Sequence, residues 1–351
     1  MPPALSVVIC SLNGAEGLDR CLRALDAQTI RPALQLVVVD DGSTDSTSDV
    51  ARAHGVNLVR HDECRGLAAA RNSGVSVASA AIVAFLDDDC EPDVDWSEKV
   101  IASFSNDILA LGGSLNVPDS PGIVLDYLRR NNPLAPREVD LAKSHRLLYR
   151  LWRYLVRQWS RDQQHARRAV FSFAGGNMSL RRSMLAAIGG FDERIRFGGE
   201  DDDILWRLER SFPGYTVIYD PAVRVVHYFE PSLRDTLRRS RAYGKGQAML
   251  CRKWPNVNAV VFPFPLIVLA LLLSGIALPY LAVVAVLLPE LLYLKGLRSA
   301  VGQRNALCLL DAYIQLAQET WANAGFAEGW LRYRHVPAEI ITLPTHTSIS
   351  S

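Results

Sequence analysis

Buried strands that end in clusters of acid constrain this chain more than anything else in it. In Leu34–Thr47, LQLVVVDDGSTDST, an apolar run stops at Asp40-Asp41 and breaks into glycine and hydroxyl residues. In Ala80–Cys90, AAIVAFLDDDC, a second apolar run stops at Asp87-Asp88-Asp89. Near-continuous Val, Ile and Leu runs belong to strands covered on both faces, which predicts a mostly parallel sheet. In a doubly wound α/β fold, ligands bind outside the carboxyl ends of the strands, where both acid clusters fall. Carboxylates in that place suit a sugar, a nucleotide or a metal ion.

The first 110 residues alternate in this way. Strands are expected at Leu5–Cys10, Leu34–Asp40, Asn57–Arg60, Ala80–Leu86 and Ile108–Gly112, and helices at Ala15–Gln28, Thr44–His54, Leu67–Ala78 and Val94–Phe104. A basic helical stretch, Arg137–Arg168, places Leu147, Leu148, Leu151, Trp152, Leu155 and Trp159 at roughly helical spacing. Interleaved Arg suits a membrane-surface helix, and a surface helix packed on the domain serves equally. A basic helix is expected over Ser232–Leu250, an amphipathic helix over residues 305–334, and a polar tail after Ile341.

From Trp254 to Pro289 the chain carries no charged residue. One membrane span takes about 20 apolar residues, so this run is long for one span and short for two. Pro263, Pro265, Pro279, Pro289 and Ser274-Gly275 punctuate it, and basic residues flank both ends. The expectation is a short hairpin or re-entrant pair, about Ala259–Gly275 and Ile276–Leu294, with both ends cytosolic. The alternative is a buried core helix pair. The organisation expected is a catalytic domain over residues 1–235, a basic juxtamembrane helix over 236–256, a membrane hairpin over 257–295, and an amphipathic helix with a flexible tail over 296–351. The location expected is the cell membrane, with the catalytic domain cytoplasmic.

The net charge of +1 gives no mark of a nucleic-acid binder. The six cysteines are scattered, without CxxC or metal-ligand spacing, and read as reduced thiols. The N-terminus lacks the pattern of a signal peptide.

Three acids closing a buried strand repel one another unless a cation neutralises them. Their oxygens suit Mg2+ or Mn2+, which would bridge to a diphosphate. Asp40 and Asp41 can accept hydrogen bonds from a base or a ribose, and Gly42 lets the chain turn close to a ligand. Ser43 or Thr44 serves equally as a helix cap. In Gly66–Asn72, small residues let a helix start near a ligand, and Arg71 can reach a phosphate or stack on a base.

SVVICSLNG (Ser6–Gly14), VVVDDGSTD (Val37–Asp45), GLAAARN (Gly66–Asn72) and FLDDDCEPD (Phe85–Asp93) resemble the ordered motifs of family 2 glycosyltransferases. FAGGNMSLRR (Phe173–Arg182), GGFDE (Gly189–Glu193) and FGGEDDDILWRL (Phe197–Leu208) continue the match, which covers about residues 4–235. The resemblance implies a GT-A fold, a Rossmann-like and mostly parallel sheet, followed here by a C-terminal helical membrane segment. It implies inverting transfer from a nucleotide-diphosphate sugar. Carried over, Asp41 contacts the base and Arg71 holds the nucleotide, with Asp40 beside them. Asp87–Asp89 matches the DxD motif: Asp89 is the metal ligand, and Asp87 or Asp88 touches ribose or metal-bound water. Gly175, Gly176 and Asn177 line the sugar pocket. Glu200-Asp201 matches the catalytic pair, with Asp201 as general base. His227 resembles a late position that completes the metal site or touches phosphate; a structural histidine at a strand end is the other reading. Glu200, Asp202 and Asp203 also fit a purely local role, favouring the positive end of a helix.

Two departures stand out. Cys10 and Leu12 replace the Pro and Tyr common in the first motif. The Gln-x-x-Arg-Trp motif of processive synthases is absent, with Arg238–Gly244 in its place, which argues against a polymerase. The reading is a metal-dependent glycosyltransferase using Mg2+ or Mn2+, a nucleotide-diphosphate sugar and a lipid-linked or other glycan acceptor, in contact with membrane lipids and not nucleic acid. Transfer onto a growing exopolysaccharide or a non-lipid acceptor, a catalytically silent scaffold subunit and a metal-dependent phosphohydrolase are the alternatives. Residues 112–135 and 175–200 would set the choice of sugar.

Overall fold

The computed structural model describes residues 2–132, 134–136, 144, 146–159, 166–196 and 198–339. Parts of the expected basic stretch at 137–168, Phe197 of the FGGEDDD motif and the tail after Ile341 lie outside the described residues.

The strands are β1 Leu5–Ser11, β2 Leu34–Asp40, β3 Asn57–Arg60, β4 Ile82–Asp87, β5 Cys90–Pro92, β6 Ile108–Asn116, β7 Arg168–Ala169, β8 Asn177–Arg181 and β9 Thr216–His227. The helices of the α/β part are α1 Ala15–Asp26, α2 Thr47–Ala53, α3 Leu67–Val77, α4 Trp96–Ser103, α5 Ile123–Arg130, α6 Leu147–Trp159, α7 Arg182–Ala187 and α8 Glu200–Ser211. They are followed by α9 Leu233–Lys253, α10 Pro263–Ser274, α11 Pro279–Leu292, α12 Leu294–Gln303 and α13 Leu310–Arg332. The expected strands and helices of the first 110 residues all form, with ends displaced by a few residues.

Alternation along each strand sorts its side chains into two layers. Leu36 and Val38 of β2 pack with Leu18, Leu22 and Leu25 of α1 and with Trp96 and Val100 of α4. Val37 and Val39 face the opposite way, onto Ala68 and Ala70 of α3 and Leu205 of α8. The uninterrupted Val run is therefore apolar because both faces are covered.

The sheet order is β3-β2-β1-β4-β8-β6-β9-β5, with β7 also on β9. β3, β2, β1 and β4 are parallel, as are β6 and β9. β8 runs antiparallel between β4 and β6, and β5 and β7 run antiparallel to β9. The sheet is mixed, which corrects the expectation of a mostly parallel one. Val and Ile runs report burial on both faces and carry no information on strand direction.

An irregularity in β9 positions the site. Opposite Gly113 and Ser114 of β6, the register jumps from Asp220 to Arg224. Such a bulge bends its strand, and here it carries the end of β9 to β5, where His227 pairs with Cys90. Gly113 is required at the bend, because a Cβ there would lie 2.2 Å from the Val223 carbonyl oxygen.

The C-terminal helices dock on this body. α9 lies against α13 through glycines: a Cβ on Gly244 would fall 2.1 Å from the Ala322 carbonyl oxygen, and one on Gly325 equally close to that of Arg241. Arg130 of α5 holds Asp311 of α13 with two bonds, of 2.6 and 2.7 Å. α10 and α11 fold back on each other as a helix hairpin, with many of their apolar side chains exposed. Among the described residues no single helix is long and apolar enough to cross a membrane; α11 and α12 reach that length and apolarity together but are bent by 68° at their break.

Candidate active site

Parallel register brings the acids to one edge. Asp40 ends β2 beside Ser11, and Cys10 of β1 stands beside Asp87 at the end of β4. The acids therefore sit on adjacent strand ends, although 47 residues of sequence separate Asp40 from Asp87.

The three acids of the triplet do not act alike: Asp87 ends β4, and Asp88 and Asp89 form the turn before β5. Asp88 turns toward α1, where it accepts from the Ser11 hydroxyl. It packs so closely on Gly14 that a Cβ there would lie 2.0 Å from its Oδ2. Burial, with Asp89 and Asp87 adding to it, pushes the Asp88 carboxyl up to about 7 against the Ser11 bond. Asp87 and Asp89 turn the other way and meet His227, whose Nε2 lies 3.8 Å from Asp87 Oδ2 and 3.4 Å from Asp89 Oδ1. Of the two alternatives carried from the motif, Asp87 is the acid that shares the site with Asp89.

Asp89 Oδ1 and His227 Nδ1 are buried with no hydrogen-bond partner. A buried carboxylate oxygen without a hydrogen bond is costly, and a cation is a group that would complete it. The Asp89 carboxylate and the His227 imidazole are donors that Mn2+ accepts, and Asp87 lies 3.8 Å from the same imidazole. Cys90 lies close enough to join them, but its thiol donates to the Gly176 carbonyl, and burial raises it far above the ordinary thiol range. The imidazole is fixed by stacking on Phe229, ring centres 4.1 Å apart. Burial alone would lower the His227 pKa, and Asp87 and Asp89 more than offset that.

Arg71 is buried at the centre. It donates to Glu200 Oε1 at 2.8 Å, reaches Asp87 at 3.6 Å, and lies over the Phe85 and Phe191 rings. Two glycines make room: a Cβ on Gly175 would lie 2.5 Å from its guanidinium, and one on Gly176 would lie 2.5 Å from Asp87 Oδ2. Glu200 is thus the counter-charge of Arg71. Asp201 is the next residue in the first turn of α8, which Glu200 opens after Gly199 in left-handed backbone, φ 92°. It accepts from the Gly175 and Asp202 amides, at 3.1 and 2.8 Å. Burial, then Glu200 and Asp202, push its carboxyl up to about 8 against the pull of Arg71. Asp203 is locked inside by Lys253 and Trp254, each at 2.8 Å, and by Arg207.

Three positions expected to touch ligand are occupied by the protein itself. Each Asp41 oxygen already takes two donors: His61 Nδ1 at 2.6 Å and the Arg65 amide on one, the Gly66 amide at 2.8 Å and the Cys64 thiol on the other. Burial pushes its carboxyl up, but these donors prevail and hold it below the usual range. Asp41 therefore shapes the loop that leads into α3, and leaves no acceptor for a base. Asp40 is equally engaged, by the Ser43 amide, Ser48 and Arg60. Asn177 lies inside the sheet, bonded to Trp96, Ser114 and Val223, and does not line a sugar pocket. His61 and Ser11 were not foreseen; a lone histidine or serine gains meaning only from the partner that folding brings to it.

Acids at the carboxyl ends of parallel strands, a DxD pair joined by a late histidine, and a first-turn carboxylate facing a Gly-Gly bend describe a GT-A-like sugar-transferase architecture. The sequence profile of glycosyl transferase family 2 matches residues 6–185, and that of glycosyl transferase family group 2 matches residues 136–294. The chain belongs to glycosyl transferase family 2. It is 30% identical over 332 residues to the pre-mycofactocin glycosyltransferase of Mycobacterium tuberculosis, matching 91% of this chain. It spans 62% of the length of that relative. It is 28% identical over 251 residues to glycosyltransferase AglE of Haloferax volcanii, matching 70% of this chain and 73% of the relative. Among solved structures it resembles a mannosyltransferase from Pyrobaculum calidifontis in complex with GDP-Man and Mn2+, with a TM-score of 0.59 and 20% identity over 94% of this chain and 87% of that one.

Proposed function

We propose that this chain is an inverting glycosyltransferase, which moves a sugar from a nucleotide-diphosphate donor to a lipid-linked or other glycan acceptor at the cytoplasmic face of a membrane. The observation that carries this reading is the buried Asp89 Oδ1, which takes no hydrogen bond, beside Asp87 and His227, with Asp201 held apart from them across Gly175-Gly176. Asp87, Asp89 and His227 would hold Mg2+ or Mn2+, which supplies positive charge to the departing diphosphate. The relative solved with GDP-Man and Mn2+ supports that choice of donor and ion.

Asp201 would take the proton of the acceptor hydroxyl as that oxygen bonds to the anomeric carbon. The bond from that carbon to the diphosphate oxygen breaks, and the nucleoside diphosphate leaves with the electron pair. A carboxyl pushed up to about 8 is, once ionised, a base matched to near-neutral pH. Arg71 balances Glu200 and Asp87, so that four acids can share the site. Asp41 acts on the donor indirectly, by fixing the loop through Arg65 and Gly66. The lipid side of the proposal rests on the exposed apolar hairpin of α10 and α11. Release of nucleoside diphosphate from a panel of nucleotide sugars, with and without Mn2+, tests the reading. One donor should be turned over with the ion present; no release from any donor overturns the proposal.

A further inference from the structure

Glu319 and Asn323 stand one turn apart on α13 and tie three apolar segments together. Asn323 bonds the Phe262 backbone at both its amide and carbonyl, 3.0 and 2.9 Å, where α10 begins. Glu319 is buried and accepts from Tyr293 at 2.6 Å, where α11 has ended. The hairpin therefore leaves and returns at one place, with Phe264 and Tyr293 in ring contact at 5.1 Å. Glu319 also accepts from Tyr154 of α6 at 2.8 Å, and the Tyr154 ring lies 5.0 Å from that of Phe264. Helix α6, more than a hundred residues earlier in sequence, is thereby fastened to the base of the hairpin. Asn258 reinforces the joint by donating to the Ser144 carbonyl at 2.8 Å.

Both elements turn apolar side chains outward. On α6, Leu148 is 81% exposed, with Leu147 and Trp152 beside it. At the hairpin tip Ile276 is 83% exposed, with Leu273 and Val283 below it. A patch of this kind marks a surface that is covered in use. Its charge selects the cover: neither Ser144–Trp159 nor α10 contains an acid, and the one acid of α11, Glu290, has both carboxylate oxygens buried, whereas Arg146, Arg298 and Arg304 are exposed near the ends of these elements. Basic side chains around an apolar surface match the headgroups of an anionic bilayer. Length sets the depth. At 12 and 14 residues, α10 and α11 extend about 18 and 21 Å, against a hydrocarbon core of about 30 Å.

We infer that α6 and the α10–α11 hairpin form one docking surface that seats in a single leaflet of an anionic membrane without crossing it. This deepens the membrane side of the function proposed above and rests on it. The hairpin is the wedge and α6 lies in the interface plane beside it, so that a lipid-borne acceptor reaches the protein from the leaflet that holds it.

Flotation of the purified chain with phosphatidylcholine vesicles, with and without phosphatidylglycerol, tests the footprint. Two variants are compared, Leu147→Glu/Leu148→Glu/Trp152→Glu and Leu273→Glu/Ile276→Glu. Binding should require the anionic lipid and fall about tenfold or more in each variant. Unchanged binding of the α6 variant overturns the shared surface. Depth is read with Ile276→Cys and a membrane-impermeant maleimide, by mass spectrometry of the tip peptide. The thiol should react in detergent and be protected in vesicles from both sides. Reaction from the lumen means a spanning segment, reaction from outside means no insertion, and protection without vesicles in a concentration-dependent dimer means that a second copy covers the face; each overturns the inference. Transfer to a short-chain polyprenyl phosphate in detergent separates the two proposals. Its failure with docking intact removes the acceptor assignment alone, and its survival in both variants also shows that they fold.

Discussion

The Arg71 guanidinium donates to Glu200 Oε1 at 2.8 Å across 129 residues of sequence, and both side chains are buried. This pair joins the start of α3 to the start of α8. Removing one partner strands a buried charge, which costs about 3–5 kcal/mol. Glu200→Gln and Arg71→Met are each expected to lower stability by about that amount in chemical denaturation. Because Arg71 is the cation that opposes the upward shift of Asp201, Arg71→Met should also move the acid limb of the activity profile to higher pH.

Asp201→Asn keeps the shape of the side chain and removes its basicity. The rate of transfer should fall about 10²–10⁴-fold, with nucleoside diphosphate affinity unchanged in calorimetry. The base acts only when ionised, so kcat/KM of the unaltered protein should rise with pH through an apparent pKa near 8. A flat profile from pH 6 to 9 would sink the assignment.

Asp89→Asn and His227→Ala each take a donor from the same cluster. Mn2+ binding, followed by electron paramagnetic resonance in the presence of nucleoside diphosphate, should weaken by about tenfold or more in both. EDTA should abolish transfer, and added Mn2+ or Mg2+ should restore it. Cys90→Ser should leave Mn2+ binding intact, since that thiol is bonded to Gly176.

His54 is clamped between Asp19 at 3.0 Å and Asp26 at 2.9 Å, which joins α1 to α2. Burial opposes its protonation, but the two carboxylates prevail and raise its pKa. Since the folded value exceeds the unfolded one, the stabilisation is full below about pH 6.5 and is lost as pH rises through the folded value. The difference between the unaltered protein and His54→Gln should be about 0.5–1 kcal/mol at pH 5, as screening limits a partly exposed pair, and should vanish by pH 9.

Lys253, at the end of α9, is buried against Asp192 at 2.6 Å and Asp203 at 2.8 Å. It ties the GGFDE loop and α8 to the C-terminal helices. Lys253→Met leaves two buried acids facing each other, and thermal unfolding should shift down sharply, by more than the loss of any exposed pair on α1 or α2.

The motifs were legible because each pairs a backbone demand with a chemical one. Gly14, Gly175 and Gly176 occur where carboxylate or guanidinium groups approach too closely for a Cβ, so the glycines and the charges they accommodate recur together in the sequence. The division of labour within the motifs was not legible. Asp41 reads as a ligand contact until His61, Arg65 and Gly66 are seen to fill all of its acceptor positions. Asn177 reads as a pocket residue until Trp96 claims its oxygen.

By itself the sequence determined five strands and four helices of the first 110 residues and the set of chemically active side chains. Those follow from local periodicity, turn chemistry and residue type. Strand direction, the split of Asp88 from Asp87 and Asp89, and the meeting of α6 with the hairpin at Glu319 belong to the tertiary structure alone. Each depends on which partner fills a given hydrogen bond. That choice is made among groups scores of residues apart, by burial that leaves one arrangement with the fewest polar atoms unpaired.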